Sequence, residues 1–276
     1  MQDSTSSSAY QNFTIFLQKE SGITLGTEKE YLVKSRLKNI MSENGIEKLE
    51  DLLTKINLGS NSNLKSSVIN AMTTNETLWF RDVHPFEILK NIILPELVEN
   101  NKINSLKIWS AACSTGQEPI SISMALDDYK TKTGKHSLGY STFASDLSSD
   151  ALNVAKKGIY HELAIERGLS VQAKEMHFTE HEKGYWKVND NMLKNITFDT
   201  VNLKSNLSRL GQFDIIFCRN VLIYFTNDLK KEILIKLHQQ LKPSGYLFIG
   251  AGESMIDLKE YFELIHCKPG IVYRKI

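Results

Sequence analysis

One stretch decides the fold, and it runs from a short apolar segment into a loop of small residues: Leu106-Lys107-Ile108-Trp109-Ser110-Ala111-Ala112-Cys113-Ser114-Thr115-Gly116-Gln117-Glu118-Pro119. The apolar run predicts a buried strand, and Pro119 stands where the first turn of a helix tolerates proline. The small residues between them let the backbone approach a ligand closely. In an open α/β sheet, such a loop lies at the carboxyl end of a strand, where ligands bind. The stretch therefore predicts a ligand site, with an ordinary structural turn as the alternative.

The class of ligand follows from what the loop lacks and from the strand that comes next. No Gly-Lys-Ser/Thr follows Gly116, and the Gly-x-Gly-x-x-Gly pattern of dinucleotide binders is missing. Asp146 ends the next apolar run, Tyr140 to Ala144, and a carboxylate there can accept hydrogen bonds from two ribose hydroxyls. This combination favours a nucleoside without a diphosphate, such as S-adenosylmethionine.

Composition and charge exclude several classes of protein. The formal net charge of +1 over 276 residues gives no strong electrostatic case for binding nucleic acid or an anionic membrane. No apolar run reaches the length of a membrane span, and the Ser-rich start does not resemble a signal peptide. The three cysteines lie far apart, which predicts reduced thiols and no metal site. We expect a cytoplasmic protein, and nothing in the sequence requires more than a monomer.

Strands and helices alternate from residue 106 onward. Several apolar runs lack polar alternation, as expected for strands buried on both faces of a largely parallel sheet. Lys268-Pro269-Gly270 separates the last two runs and predicts an antiparallel hairpin at the sheet edge. Between residues 158 and 195 the alternation stops, and Tyr185–Val188 predicts an exposed strand of a small inserted subdomain. We predict strands at 106–110, 140–145, 196–202, 213–219, 246–250, 262–267 and 271–275, and helices at 118–130, 148–157 and 228–241.

The amino-terminal part has helical periodicity and no strand signals. Residues 10–57 predict short amphipathic helices, followed by a polar loop at 57–65. Lys34, Arg36 and Lys38 form a basic cluster that is either an ordinary solvated face or a docking surface for an acidic helix.

Two further patterns each allow a structural and a functional interpretation. Asn75, Thr77 and Arg81 recur at roughly helical spacing, and their side chains could bind a ligand or simply belong to a capped helix. His177 and His181 would present two metal ligands on one helix face, but no third ligand is evident, which favours surface histidines.

Taken together, five motifs resemble the CheR-type chemoreceptor glutamate methyltransferases across essentially the full length of the chain. They are Asn75-x-Thr77-x-x-x-Arg81, Trp109 to Pro119, Ala144-Ser145-Asp146, Val201-Asn202-Leu203 and Cys218-Arg219-Asn220-Val221-Leu222-Ile223-Tyr224-Phe225. The resemblance implies a class I S-adenosylmethionine-dependent methyltransferase of the α/β class, with a mostly parallel seven-stranded sheet and a terminal antiparallel hairpin. It also implies a small all-helical amino-terminal domain and a small β insertion.

The same resemblance implies where the domains and the site residues lie. We expect a disordered tail at 1–9, a helical domain at 10–70, a linker with cofactor ligands at 71–90 and a methyltransferase domain at 91–276 with its β insertion at about 160–195. The cofactor-binding residues carried over are Asn75, Thr77, Arg81, Glu118, Asp146, Asn202, Leu203, Asn220 and Val221. Arg81 and Tyr224 are the expected catalytic residues, Tyr224 lining the acceptor site.

The resemblance further implies an activity and a partner. We expect the methyl group of S-adenosylmethionine to pass to glutamate side chains in the cytoplasmic helical domain of methyl-accepting chemoreceptors, leaving S-adenosylhomocysteine. The β insertion would dock on the receptor, and the basic cluster would contact its methylated helices. Gln117, Ile120 and Ala251-Gly252 depart from the usual family pattern. A non-catalytic S-adenosylmethionine sensor or scaffold, or a small-molecule methyltransferase, are the alternatives.

Overall fold

The computed structural model describes residues 7–58, 62–255 and 258–276. Contacts divide the chain into two compact units. The first comprises the chain up to Thr74 together with Tyr224–Lys230, and the second comprises Asn75–Ile223 and Lys231–Ile276.

The first unit is built from helices around an apolar core. These are α1 (Ser8–Ser21), α2 (Glu30–Glu43), α3 (Leu49–Asn57) and α4 (Ser62–Met72). The start of α1 is capped by the Ser7 hydroxyl, which accepts a hydrogen bond from the backbone N–H of Tyr10, and α1 ends at Gly22 with φ at 81°. A Cβ at Gly22 would lie 2.6 Å from the Leu229 side chain, so glycine is required there for space as well as for conformation. The predicted amino-terminal helices are thus confirmed, and the buried core includes Phe13, Leu17, Val33, Leu37, Leu52 and Val68.

Two predictions at the ends of these helices need correction. Helix α4 begins at Ser62, so the predicted loop does not extend to residue 65, and residues 59–61 lie outside the described part of the chain. Helix α1 begins at Ser8, inside the predicted disordered tail, whose first six residues are likewise not described. The apolar positions of both helices pack into the core, which outweighs the polar composition of their first turns.

The side chains of the basic cluster are less free to contact a partner than the sequence indicates. The Arg36 guanidinium donates a hydrogen bond to the last carbonyl of α4 at 3.0 Å and to the carbonyl of Thr73 at 2.9 Å. Arg36 therefore satisfies carbonyls that helix α4 leaves unpaired at its carboxyl end. Lys34 forms a surface ion pair with Glu30 at 3.0 Å, while the Lys38 side chain is exposed. Arg36 therefore has a structural role, and docking by the basic cluster stays a prediction.

The second unit contains a seven-stranded sheet with the strand order β6-β2-β1-β7-β8-β10-β9. All neighbours from β6 to β8 run parallel, and β10 runs antiparallel to both β8 and β9. The predicted parallel sheet and terminal hairpin are therefore confirmed. The strands, in chain order and including those of a second small sheet, are β1 (Ser105–Ala111), β2 (Gly139–Asp146), β3 (Ile159–His161), β4 (Phe178–Glu182), β5 (Tyr185–Val188), β6 (Ile196–Thr200), β7 (Phe213–Cys218), β8 (Leu241–Ile249), β9 (Phe262–Cys267) and β10 (Gly270–Lys275).

Helices cover the sheet and give it a continuous core. All six residues of β7 are buried, as expected for a strand in the middle of a parallel sheet. Apolar side chains of β1, β7 and β8 pack against the helical segment His84–Asn100, which contains two π-helical stretches, and against the helix that follows β1. The helices of this unit are α5 (His84–Ile88), α6 (Gln117–Thr133), α7 (Ser149–Lys157), α8 (Glu162–Ile165), α9 (Val171–His177), α10 (Asp190–Leu193) and α11 (Asn227–Gln240), of which α11 begins in the first unit.

The small sheet, of order β3-β5-β4, is antiparallel and lies in the chain between α7 and β6. Its β5 is the strand predicted at 185–188. His177 ends α9 and is buried, whereas His181 lies in β4, so the two histidines do not share a helix face. Within the described residues, no group of three His, Cys, Asp or Glu side chains could hold a metal ion. The same residues contain no helix long and apolar enough to cross a membrane.

Candidate active site

The carboxyl ends of five parallel strands form one edge of the large sheet. Ala111 at the end of β1 pairs with Ser145 of β2 and with Cys218, the last residue of β7. Asp146 pairs with Thr200 at the end of β6, and Cys218 also pairs with the last residue of β8. The loops that carry the predicted cofactor residues therefore leave the sheet side by side, as expected for a ligand crevice of an α/β sheet.

The loop after β1 is held against Asp146. The Asp146 carboxylate accepts a hydrogen bond from the backbone N–H of Ser114 at 2.7 Å and from that of Ser148 at 2.8 Å. Ala112, Ser114 and Gly116 all have positive φ, at 61°, 52° and 96°, so the loop is tightly folded. A Cβ at Gly116 would lie 2.8 Å from that of Ala155, which explains the glycine here.

Asp146 keeps acceptor capacity after these two bonds. A carboxylate has about four lone-pair sites, and each oxygen of Asp146 accepts one bond from the backbone. Burial raises the pKa of the Asp146 carboxyl, and the N–H groups of Ser148 and Ser114 offset part of that rise. The arrangement can accept two further donors, such as the vicinal hydroxyls of a ribose.

A buried arginine organises the second acidic part of the site. The side chain of Arg219 is 1% exposed, and its guanidinium donates to Glu118 at 2.9 Å and to Asp82 at 2.7 Å. It also donates to the backbone carbonyl of Arg81 at 2.8 Å. Glu118 accepts a further bond from the hydroxyl of Ser110 at 2.8 Å. One cation therefore faces two carboxylates, and the cluster retains one negative charge for a cationic ligand.

The environment of Glu118 makes this remaining charge costly. Burial raises the pKa of its carboxyl, while the charge of Arg219, the Ser110 hydrogen bond and the charge of Arg81 offset part of the rise. A ligand ammonium group would add a further cation beside Arg219 and Arg81 and favour the ionised form. The sequence placed Arg219 at a polar strand end but gave it no role, and it did not single out Asp82. The position of Arg219 directly after a fully buried strand could have indicated its role. An arginine at such a position is itself buried, and a buried arginine requires acidic partners.

The segment carrying Asn75, Thr77 and Arg81 is not helical. No helix occurs between α4 and α5, so of the two interpretations of this segment the capped helix is wrong. Phe80 and Asp82 have positive φ, at 47° and 66°, conformations that end any helix. The segment instead reaches the sheet edge through its backbone, because the carbonyl of Asn75 accepts a bond from the Ser114 hydroxyl at 2.8 Å. The guanidinium of Arg81 donates to the carbonyl of Glu76 at 3.0 Å.

Trp79 fixes this segment against the small sheet. Its indole N–H donates to the carbonyl of Ala164 at 3.0 Å, and its ring meets Tyr160 and Phe178 edge-on at centroid distances of 5.0 and 5.2 Å. Tyr160 also donates its hydroxyl to the carbonyl of Thr115 at 2.8 Å. The insertion therefore supports both the segment at 75–83 and the loop after β1.

The remaining predicted cofactor residues follow β6 and β7. The backbone N–H of Val201 donates to the carbonyl of Asp146 at 3.0 Å, which places Asn202 and Leu203 next to β2. Asn220 has φ at 58°, and its buried side-chain oxygen has no hydrogen-bond partner among the described residues. Such an acceptor can bind an N–H group of a ligand.

Tyr224 belongs to the first compact unit. Its carbonyl accepts hydrogen bonds from both the backbone N–H and the hydroxyl of Thr24, each at 2.9 Å. The structure thus brings Asn75, Arg81, Glu118, Asp146, Asn202 and Asn220 to one unit, with Thr77, Leu203 and Val221 beside them in the chain, and assigns Tyr224 to the other.

The donor set suits S-adenosylmethionine. Its ammonium and sulfonium cations match the acidic cluster around Glu118, and its ribose hydroxyls match the free acceptor sites of Asp146. Its carboxylate requires a cation, and Arg81 is an arginine close enough to lower the pKa of Glu118. The small-residue loop leaves room for a ligand without a diphosphate.

Comparison with known proteins identifies the family. The model of the CheR methyltransferase all-alpha domain matches residues 8–73, and that of the CheR methyltransferase SAM-binding domain matches residues 75–271. The chain is 45% identical to chemotaxis protein methyltransferase Cher2 of Pseudomonas putida over 98% of this chain and 99% of that protein. It is 43% identical to chemotaxis protein methyltransferase 1 of Vibrio cholerae over 96% of both chains. With both domain models matched in order, the chain belongs to the CheR methyltransferase family and is an S-adenosylmethionine-dependent methyltransferase.

Proposed function

We propose that this protein transfers the methyl group of S-adenosylmethionine to glutamate side chains of chemoreceptors and forms glutamyl methyl esters. The observation that carries the proposal is the engagement of both buried carboxylates of the site. Glu118 is bonded to Arg219 and Ser110, and Asp146 accepts two backbone N–H groups. With S-adenosylmethionine bound, Glu118 would also hold its ammonium group and Asp146 its ribose hydroxyls, so neither carboxylate would be free to take a proton from an acceptor.

An acceptor that is already ionised needs no general base. A glutamate carboxylate is ionised near neutral pH, because its ordinary pKa is about 4.3. Attack by an alcohol or ammonium group would require prior loss of a proton. The chain covers nearly the whole length of relatives named chemotaxis protein methyltransferase, which supports a chemoreceptor as the substrate.

The residues of the site would then act by binding and positioning. When bound, S-adenosylmethionine supplies an electrophilic methyl group on a sulfonium. Glu118 would hold the ammonium group and Asp146 the ribose hydroxyls. Arg81 would pair with the carboxylate of the cofactor or with the incoming glutamate, since a guanidinium binds carboxylates with two parallel bonds. Holding the acceptor in line and excluding water would supply the rate enhancement.

The remaining assignments concern the linker and the acceptor side. We place Asn75 and Thr77 among the cofactor ligands of the segment after α4, and Asn202, Leu203, Asn220 and Val221 in the loops after β6 and β7. Tyr224 would line the acceptor site. The acceptor would be the cytoplasmic helical domain of a methyl-accepting chemoreceptor, and the small sheet would be a docking surface for it.

The test uses tritiated S-adenosylmethionine and membranes that contain the host's chemoreceptors, with methyl ester measured as base-volatile methanol. We expect counts with the native protein and none with Asp146→Ala, whose cofactor binding is lost. Calorimetric binding of S-adenosylmethionine without any ester would exclude the proposed acceptor and favour a sensor or scaffold. Arg81→Ala with unchanged cofactor affinity and unchanged turnover would contradict the assignment of Arg81.

A further inference from the structure

A single carboxylate joins the carboxyl ends of β7 and β8. Glu253, four residues beyond the end of β8, accepts hydrogen bonds from the backbone N–H groups of Asn220 at 2.9 Å and Leu222 at 2.7 Å, both just after β7. The same carboxylate accepts a bond from the N–H of Gly250 at 2.7 Å. Three backbone donors of two neighbouring loops thus share one acidic side chain.

We propose that Glu253 is a positioning residue that holds Asn220 and Val221 in the conformation that binds S-adenosylmethionine. The proposal rests on the assignment of those two residues to the cofactor. Within the part of the chain that the structure describes, the hydrogen bonds of the Glu253 carboxylate all come from backbone N–H groups, so Glu253 acts through the loop.

The conformation of the loop shows what the carboxylate maintains. Asn220 has φ at 58°, in the left-handed region, which asparagine adopts more readily than other side-chain-bearing residues but less readily than the right-handed region. The N–H groups of Asn220 and Leu222 flank Val221, so their common acceptor fixes the loop on both sides of that residue. The side-chain oxygen of Asn220 is buried and has no partner among the residues described, as expected for an acceptor that awaits a ligand.

The neighbouring glycine shows how closely these groups are packed. A Cβ at Gly250 would lie 2.7 Å from a carboxylate oxygen of Glu253 and 2.9 Å from the backbone nitrogen of Asn220. Any side chain at this position would therefore separate the carboxylate from the loop it binds. Gly250→Ala is thus a second perturbation of the same contact that leaves the charge of Glu253 in place.

Glu253→Gln gives the sharpest test because it keeps the shape of the side chain. One oxygen of Glu253 accepts from Asn220 and Gly250, and the other accepts from Leu222. In either orientation, a glutamine amide directs its NH₂ group at a backbone N–H donor and loses a charge-assisted acceptor. The matched control is Glu260→Gln, the same change of charge on an exposed side chain between β8 and β9.

The measurement is calorimetric binding of S-adenosylhomocysteine to each full-length variant, which requires no methyl acceptor and is independent of the proposed reaction. We expect the Kd to rise about tenfold or more in Glu253→Gln, because the substitution removes a hydrogen bond to a charged group. Gly250→Ala should raise the Kd in the same direction, and Glu260→Gln should not change it. Where ester formation can be followed, Glu253→Gln should raise KM for S-adenosylmethionine and leave kcat at saturating cofactor within about twofold.

Two results would overturn the proposal. One is an unchanged Kd in a folded Glu253→Gln or Gly250→Ala protein, since the loop would then keep its binding conformation without the carboxylate. The other is an equal rise in Glu260→Gln, which would indicate a general effect of charge. Thermal unfolding of each variant, measured without ligand, identifies those that are folded at the temperature of the titration.

Discussion

Replacement of Arg219 by methionine should destabilise the protein more than any single loss of a surface ion pair. Arg219 is 1% exposed and bonds Glu118 and Asp82, which are 13% and 30% exposed. Methionine fills much of the same volume but leaves Glu118 buried without its cation. Removal of one partner of a buried ion pair costs about 3–5 kcal/mol. Because Asp82 can regain water, we expect the lower end, about 3 kcal/mol.

The matched control is Arg167→Met. Arg167 also forms an arginine–carboxylate pair, with Glu76 at 3.1 Å, but the two side chains are 55% and 72% exposed. An exposed pair of this kind contributes about 0–1 kcal/mol. Urea unfolding at pH 7.5, followed by circular dichroism, gives the free energy of unfolding of both variants. If Arg219→Met lowers the free energy of unfolding no more than Arg167→Met does, the interpretation that Arg219 compensates buried negative charge would be refuted.

A second substitution separates lost charge balance from lost packing. If Arg219→Met is costly because Glu118 is left unpaired, adding Glu118→Gln should recover about 1 kcal/mol or more. Lower pH should also reduce the destabilisation caused by Arg219→Met. The folded-state pKa of Glu118 is already raised above its ordinary value of 4.5, and loss of Arg219 raises it further. Stability from a raised acidic pKa is gained as pH falls through that pKa, so Arg219→Met should be less destabilising at pH 6 than at pH 7.5.

Three further predictions concern the cofactor site. Because burial raises the pKa of Glu118, affinity for S-adenosylmethionine should fall on acidification from pH 7.5 towards 5.5, and calorimetry should find a flatter pH dependence in Glu118→Gln. Tyr160→Phe removes the hydrogen bond to the carbonyl of Thr115 and should lower the free energy of unfolding in urea by about 0.5–1.5 kcal/mol. An unchanged free energy of unfolding would contradict the role of Tyr160 in supporting the loop after β1. Gly116→Ala should cost about 1–3 kcal/mol, because φ is 96° and the new Cβ would meet Ala155 at 2.8 Å; an unchanged unfolding midpoint would contradict this.

The sheet could be predicted from the sequence because its signals are local. The central strands β1, β7 and β8 contain short apolar runs, and each is followed by small or polar residues where it leaves the sheet. The strand predicted at 246–250 nevertheless begins earlier, at Leu241. Residues 242–244 are polar and include Pro243, which locally favour a turn. The pairing of Leu241 with Phe213 of β7 extends the strand beyond what its own residues indicate, across an irregularity before the regular pairing resumes at Tyr246.

The parts of the site that the sequence missed depend on contacts between distant residues. Arg219 bonds Glu118 and Asp82, which are 101 and 137 positions away in the chain. Helical spacing in the segment at 72–81 was likewise misleading, because Trp79 is held by the insertion rather than by its own neighbours. A local sequence pattern cannot predict contacts between residues that lie so far apart in the chain.

The charges of the site indicate why an anionic acceptor should follow the cofactor. Glu118, Asp82, Asp146 and Glu253 supply four negative charges against the two positive charges of Arg219 and Arg81, so the site alone carries two net negative charges. An anionic acceptor, such as the glutamate carboxylate proposed above, would meet repulsion there, which a partly buried position strengthens. S-adenosylmethionine carries one net positive charge and halves this negative excess, whereas S-adenosylhomocysteine, which carries no net charge, leaves it unchanged. The balance of charges therefore favours approach of the acceptor while the methyl donor is bound and disfavours it once the methyl group has been transferred.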